Sequence, residues 1–236
     1  MGKSKISSDA LIFRIVAFII SLTGIIMHLS AGRFMSEGFM IKHNMAYFTI
    51  QTNIFISVLF LILIIKTLVN RKNTDKIKIA VINPVIHTGL TFYITITMLG
   101  FWVLLAPTTG INSSPYIFCS SMLLHTVTPL LAIADFLIFV PHGRLVKKDV
   151  LKWLVYPAVY LVFVFIYSKT ITEPYYSFNI NGTKFDLMYP YPFLDAAFMG
   201  VKGVIIAVIV LIILFALLGL LYIWIDKKLG KIKTRA

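Results

Sequence analysis

The sequence predicts an all-α, polytopic membrane protein: a bundle of six transmembrane helices with both termini cytoplasmic. Three observations lead there. Of the 236 residues, 59% are hydrophobic and 13% charged, with mean hydropathy +0.91, whereas soluble domains run near half apolar and a quarter charged. Six windows hold the roughly 20 apolar residues that cross a hydrocarbon core of about 30 Å. The basic residues sort to one set of loops.

The spans are read at about 10–31, 46–65, 82–106, 116–140, 151–169 and 199–224, in a single membrane domain over 1–236. The first, led by Lys3 and Lys5, is too long for a signal peptide and lacks a small-residue cleavage site. It is read as a retained helix. Ile6 stands where a myristoylation signal after Met1-Gly2 needs Ser or Thr, so no acyl anchor is expected. The fourth span contains Pro129, which has no N–H for the His125 carbonyl, so a kink is expected there. The longest gap, 170–198, is too short to bury a core of its own. The first three spans show no convincing repeat in the last three. Asn112 and Asn181 fit the glycosylation pattern in predicted outer loops, which matters only in a eukaryotic host.

Lys+Arg number 22 against nine Asp+Glu, a formal charge of +13. Two of the basic residues lie in the N-terminal tail, five between Lys66 and Lys78, four between Arg144 and Lys152, and five after Asp226. These sixteen share one side, which the positive-inside rule places in the cytoplasm. The charge is thereby explained as topology anchoring beside anionic lipid, and no nucleic-acid partner is expected. One cysteine, Cys119, excludes an internal disulfide framework and a CxxC site. Ile- and Lys-rich usage points to a bacterial inner membrane.

Polar groups inside a membrane are costly and are functional hypotheses by default. Here they recur at helical spacing: Ser121, His125, Thr128 and Asp135 on the fourth span, and Thr49, Thr52, Asn53 and Ser57 on the second. His87, Thr91 and Thr95 follow on the third, and Arg14, Ser21 and His28 on the first. Four stripes imply a shared polar interior. For a single Ser or Thr, interhelical hydrogen bonding worth about 0.6 kcal/mol accounts for the position just as well. Arg14 and Asp135 lie at matched depth from the inner ends of their spans, which predicts a buried structural ion pair.

The chain contains no GxSxG, HExxH, Walker A or GxGxxG motif, so the usual serine hydrolases, zinc proteases and nucleotide binders lack support. His28, His87 and His125 lie on separate spans without ligand spacing, and neither a metal nor a cofactor is expected. What remains is a hydroxyl with a base: Thr49 or Thr52 beside His125 or His28. A threonine becomes an acyl-transfer nucleophile when a neighbouring base takes its proton.

Three patches, Tyr47-Phe48-Thr49-Ile50-Gln51-Thr52-Asn53, His125-Thr126-Val127-Thr128-Pro129-Leu130 and Tyr191-Pro192-Phe193-Leu194-Asp195, carry a resemblance. In content and order they resemble the androgen-induced-gene family of multi-pass membrane proteins, of which this chain looks like a bacterial relative. The family's animal members are intramembrane threonine hydrolases that cleave fatty acid esters of hydroxy fatty acids. By that resemblance Thr49 is the nucleophile, His125 the general base and a lipid ester the substrate. Asn53 stands where animal members carry an acidic residue, and Asp195 where they carry Glu, for which the resemblance implies an orienting carboxylate role.

Depth supplies a separate expectation. At a rise of 1.5 Å per residue, Thr49 lies roughly 5 Å below the outer end of its span and His125 roughly 14 Å below that of its own. With both ends level, Thr52 fits His125 better and His28 fits Thr49 better, so spacing leaves the nucleophile open between Thr49 and Thr52. The expected reaction is attack by Thr49 on an ester carbonyl, with Gln51 or Asn53 donating to the oxyanion. The Tyr189–Asp195 segment would cap the site or anchor the chain at the interface. A small-molecule or proton transporter using His87, His125 and Asp135, and a non-catalytic lipid-binding protein, are the alternatives. Oligomeric state is not legible.

Overall fold

A computed structural model describes residues 3–34, 41–73, 79–105, 114–180 and 183–235. Met1, Gly2, Asn112 and Asn181 lie outside the described residues. The protein is all-α, 81% helical, and six of its helices are long and apolar enough to cross a membrane: 8–30, 48–70, 84–104, 115–139, 149–167 and 196–232. These agree with the six expected spans to within a turn, except that the second helix runs five residues past its expected end at 65 and the last runs on past Trp224. The elements are α1 (Lys3–Phe34), α2 (Ile41–Asn44), α3 (Phe48–Asn73), α4 (Pro84–Gly100), α5 (Pro115–Met122), α6 (Thr128–Phe139), α7 (Asp149–Tyr167) and α8 (Ala196–Arg235). Between α7 and α8 come strands β1 (Tyr176–Ile180) and β2 (Thr183–Leu187) and a 3-10 turn at Pro192–Leu194.

Two compact units divide the chain, one of residues 1–145 with 225–236 and one of residues 146–224. In the first, α1 packs on α3 and α5, and α4 packs on α3 and α6. Asn83 starts α4 by accepting a hydrogen bond from Val85 N, and Pro84 follows at a position where no N–H is needed. Ser114 and Pro115 start α5 in the same way. The apolar core, including Ala17, Ile56, Phe60, Leu63 and Ile94, joins α1, α3 and α4.

The spanning segment around Pro129 does not simply kink. Leu123–Val127 form a π-helical turn between α5 and α6, and Thr128 N reaches back five residues to the Leu123 carbonyl. A widened turn is how a helix absorbs the donor that proline lacks. A second π-turn, Phe101–Leu105, closes α4. Near Arg144, the Asp226 carboxylate accepts from Leu145 N at 2.9 Å and lies 3.4 Å from His142 Nδ1. Gly143 takes φ +84°, where a side chain is strained.

The second unit supplies structure where a bare loop was expected. β1 and β2 pair antiparallel from Tyr176 opposite Leu187 to Ile180 opposite Thr183. Asp195 caps α8: its Oδ1 accepts from Ala197 N at 2.9 Å and its Oδ2 from Met188 N at 3.0 Å. Gly200, at φ +72°, bends the helix after its first turn. Gly219 admits α7 closely, because a Cβ there would lie 2.9 Å from Val150 Cγ1.

Candidate functional site

The interior of the first unit is polar on all four of its long helical segments. Thr52 Oγ1 shares a 2.7 Å hydrogen bond with Thr97 Oγ1, joining α3 to α4. Ser57 Oγ donates to Ser21 Oγ at 2.8 Å, joining α3 to α1. At one end Ser30 and Tyr116 share a 2.7 Å bond between α1 and α5. At the other, Arg14 Nε donates to Asp135 Oδ1 at 2.7 Å, Nη2 to Oδ2 at 3.3 Å, and Nη1 to the Ala80 carbonyl at 2.7 Å. His87 Nε2 lies 3.1 Å from Asp135 Oδ2. Arg14 and Asp135 have no exposed surface, and a buried pair of this kind holds only while both charges remain.

His125 sits in the centre of the π-turn. Its Nδ1 lies 3.0 Å from the Ser121 carbonyl. A carbonyl can only accept, so Nδ1 carries the proton and the neutral ring presents Nε2 as a base. Phe101, the first residue of the other π-turn, stacks on the imidazole with centroids 3.8 Å apart and planes 15° apart. Trp102 Nε1 donates to Thr126 Oγ1 at 3.0 Å, a second link between the two π-turns. Phe101 and Trp102 gave no signal in the sequence, because they acquire their place only through the widened turns. His28 is partly exposed.

Asn53 connects the threonine segment to this turn. Its Nδ2 donates to the Thr49 carbonyl at 2.8 Å and to the Leu124 carbonyl at 3.2 Å. Two oxygens bound by one nitrogen at such lengths are no more than about 6 Å apart. Thr49 and the residue before His125 are therefore on one level. The depth gap drawn from helix length fails because its premise, level outer ends, fails: α5 begins at Pro115, well above the turn that faces Thr49.

The two threonines differ in availability. Thr52 is 0% exposed, and its single proton is committed between Thr97 Oγ1 and the Thr49 carbonyl. Thr49 is 8% and His125 7% exposed, so both are buried without being wholly sealed. No hydrogen bond joins the Thr49 hydroxyl to His125. Neither expected oxyanion donor is idle: both donations of Asn53 go to backbone, and Gln51 Nε2 donates to the Met45 carbonyl at 3.1 Å. Asp195 belongs to the other unit, where its carboxylate is spent on the α8 cap. Among the described residues, His, Cys, Asp and Glu do not gather in threes.

Compared with protein-family models, curated proteins and solved structures, the chain matches none. Its class is that of an integral membrane protein with six apolar helices.

Proposed function

We propose that this protein is an intramembrane hydrolase of lipid esters, such as fatty acid esters of hydroxy fatty acids, with Thr49 as nucleophile and His125 as base. The observation that carries the reading is the pairing across one Asn53 amide. A buried threonine is held level with a buried imidazole whose tautomer leaves Nε2 as the acceptor. In the proposed reaction Thr49 Oγ attacks the ester carbonyl carbon while its proton passes to His125 Nε2. The tetrahedral intermediate collapses, the alcohol oxygen leaves with that proton, and the acyl group stays on Thr49. Water gives a proton to His125 and its hydroxide to the acyl carbon; the acid departs and Thr49 recovers its proton.

The substrate's chains would lie among the apolar side chains that face lipid. Both termini would be cytoplasmic, on the side carrying the basic loops, and the membrane a bacterial inner membrane. Purified protein with such an ester should release fatty acid. Thr49→Ala and His125→Ala should each lower turnover by about 10³-fold or more, as removal of either half of a nucleophile–base pair does. Thr52→Val should retain it. Folded variants that hydrolyse as well as the parent would refute the assignment. A second reading, a proton or small-molecule transporter, draws on the buried Arg14, Asp135 and His87; pH-driven flux in liposomes without ester turnover would favour it.

A further inference from the structure

The His125 imidazole is held in two ways. Nδ1 donates to the Ser121 carbonyl at 3.0 Å, which fixes one edge, and the Phe101 ring lies flat on one face, with centroids 3.8 Å apart and planes 15° from parallel. A ring fixed through one hydrogen bond still tilts about that bond. A second ring in van der Waals contact with its face removes the tilt, so edge and face together set the direction in which Nε2 points.

The face contact is itself braced. Trp102 stands edge-on to Phe101, with centroids 5.4 Å apart and planes at 82°, and its Nε1 donates to Thr126 Oγ1 at 3.0 Å. Phe101 and Trp102 are neighbours in one π-turn, and His125 and Thr126 are neighbours in the other. Stack and hydrogen bond therefore close a circuit between two adjacent pairs, and neither ring shifts without disturbing both contacts. Each turn is also anchored from behind. The Phe101 N–H donates to the Thr97 carbonyl, and the Thr97 side chain bonds Thr52 on α3. The Leu124 carbonyl, beside His125, accepts from Asn53. On the α1 side a Cβ at Gly24 would lie 3.0 Å from Leu123 Cβ, so α1 leaves the turn no slack.

We infer that Phe101 and Trp102 are positioning residues for His125, with Thr126 as the anchor of Trp102. Phe101 fixes the plane of the imidazole, and the Trp102–Thr126 bond keeps Phe101 over it. A proton acceptor serves a reaction when it is held within about 0.5 Å and 10–20° of its productive geometry, and a misplacement of about 1 Å costs about 10²-fold in rate. The part these residues play in catalysis rests on the hydrolase reading; their hold on the imidazole does not.

NMR of the histidine ring nitrogens tests the hold on the full-length protein in detergent, isotope-labelled at those nitrogens, with His125 assigned from the signals missing in His125→Gln. The parent should show His125 as a single tautomer, with Nδ1 protonated and Nε2 bare. Phe101→Leu should draw the two nitrogen signals toward averaged positions and lower kcat by about 10²-fold with KM little changed. Phe101→Tyr, which keeps the ring, should retain both the signals and the turnover. Trp102 is 43% exposed, so Trp102→Phe is accommodated and removes the N–H alone; Thr126→Val removes its acceptor at the same shape. Each should shift the His125 signals part of the way, and the double variant no further than either single, since both break one bond. Averaged His125 signals in the parent, or signals unmoved in folded Phe101→Leu, Trp102→Phe and Thr126→Val, would overturn the positioning role. A parent that shows the single tautomer yet hydrolyses no ester would sink the hydrolase reading and leave the hold on His125 standing.

Discussion

Removing Asp135 alone should be far more damaging than removing Asp135 and Arg14 together. In Asp135→Leu the Arg14 guanidinium loses both of its bonds to the carboxylate and keeps only the one to the Ala80 carbonyl. Hydrogen bonds to charged groups contribute about 1.5–3 kcal/mol each, and stranding one member of a buried pair costs about 3–5 kcal/mol in all. For a chain of this size, about 2–4 °C of melting temperature accompanies each kcal/mol. The single variant should therefore melt about 6–20 °C below the parent. In Arg14→Met with Asp135→Leu no charge is stranded, and most of that loss should return. Thermal unfolding followed by tryptophan fluorescence in one detergent, for the parent, both singles and the double, completes the cycle. If the singles melt within 2 °C of the parent, or the double falls as far as the two singles combined, the buried pair is not coupled as described.

Asn53→Leu removes the donation to the Leu124 carbonyl that ties α3 to the π-turn and the one to the Thr49 carbonyl within α3, each worth about 1 kcal/mol; thermal melting should fall by several degrees, and ester turnover should fall with it because Thr49 is no longer held level with His125. Asp195→Ala should cost about 1 kcal/mol through loss of the α8 cap, read as faster amide exchange at Ala197, with Asp195→Asn retaining most of the protection. Gly230→Ala would place a Cβ 2.6 Å from Gly143 Cα; because the obstacle is backbone, overpacking of about 1–3 kcal/mol is expected, and unchanged melting would show that this contact is not formed in solution.

Much of the fold was legible because lipid leaves few choices. A spanning segment must satisfy its own backbone, so apolar length alone marks each helix, and the six observed spans fall where length placed them. Matched depth put Arg14 and Asp135 side by side, and they stand 2.7 Å apart. The β1–β2 hairpin was missed, since its strands are short and lie where no apolar length marks them.

The site divides on the same physical line. Helical spacing gathered Thr49, Thr52, Asn53, His125 and Thr128 onto facing stripes, because periodicity along one helix is a local property. What those side chains bond to is decided between helices. Only the packed unit shows Thr52 sealed against Thr97, Asn53 spent on two carbonyls, and Phe101 laid on His125. Sequence spacing fixes depth within a helix but not the offset between helices, and that offset decides whether Thr49 and His125 share a level. It is set here by a π-turn and one asparagine, whose effects depend on partners up to 71 positions away in the chain.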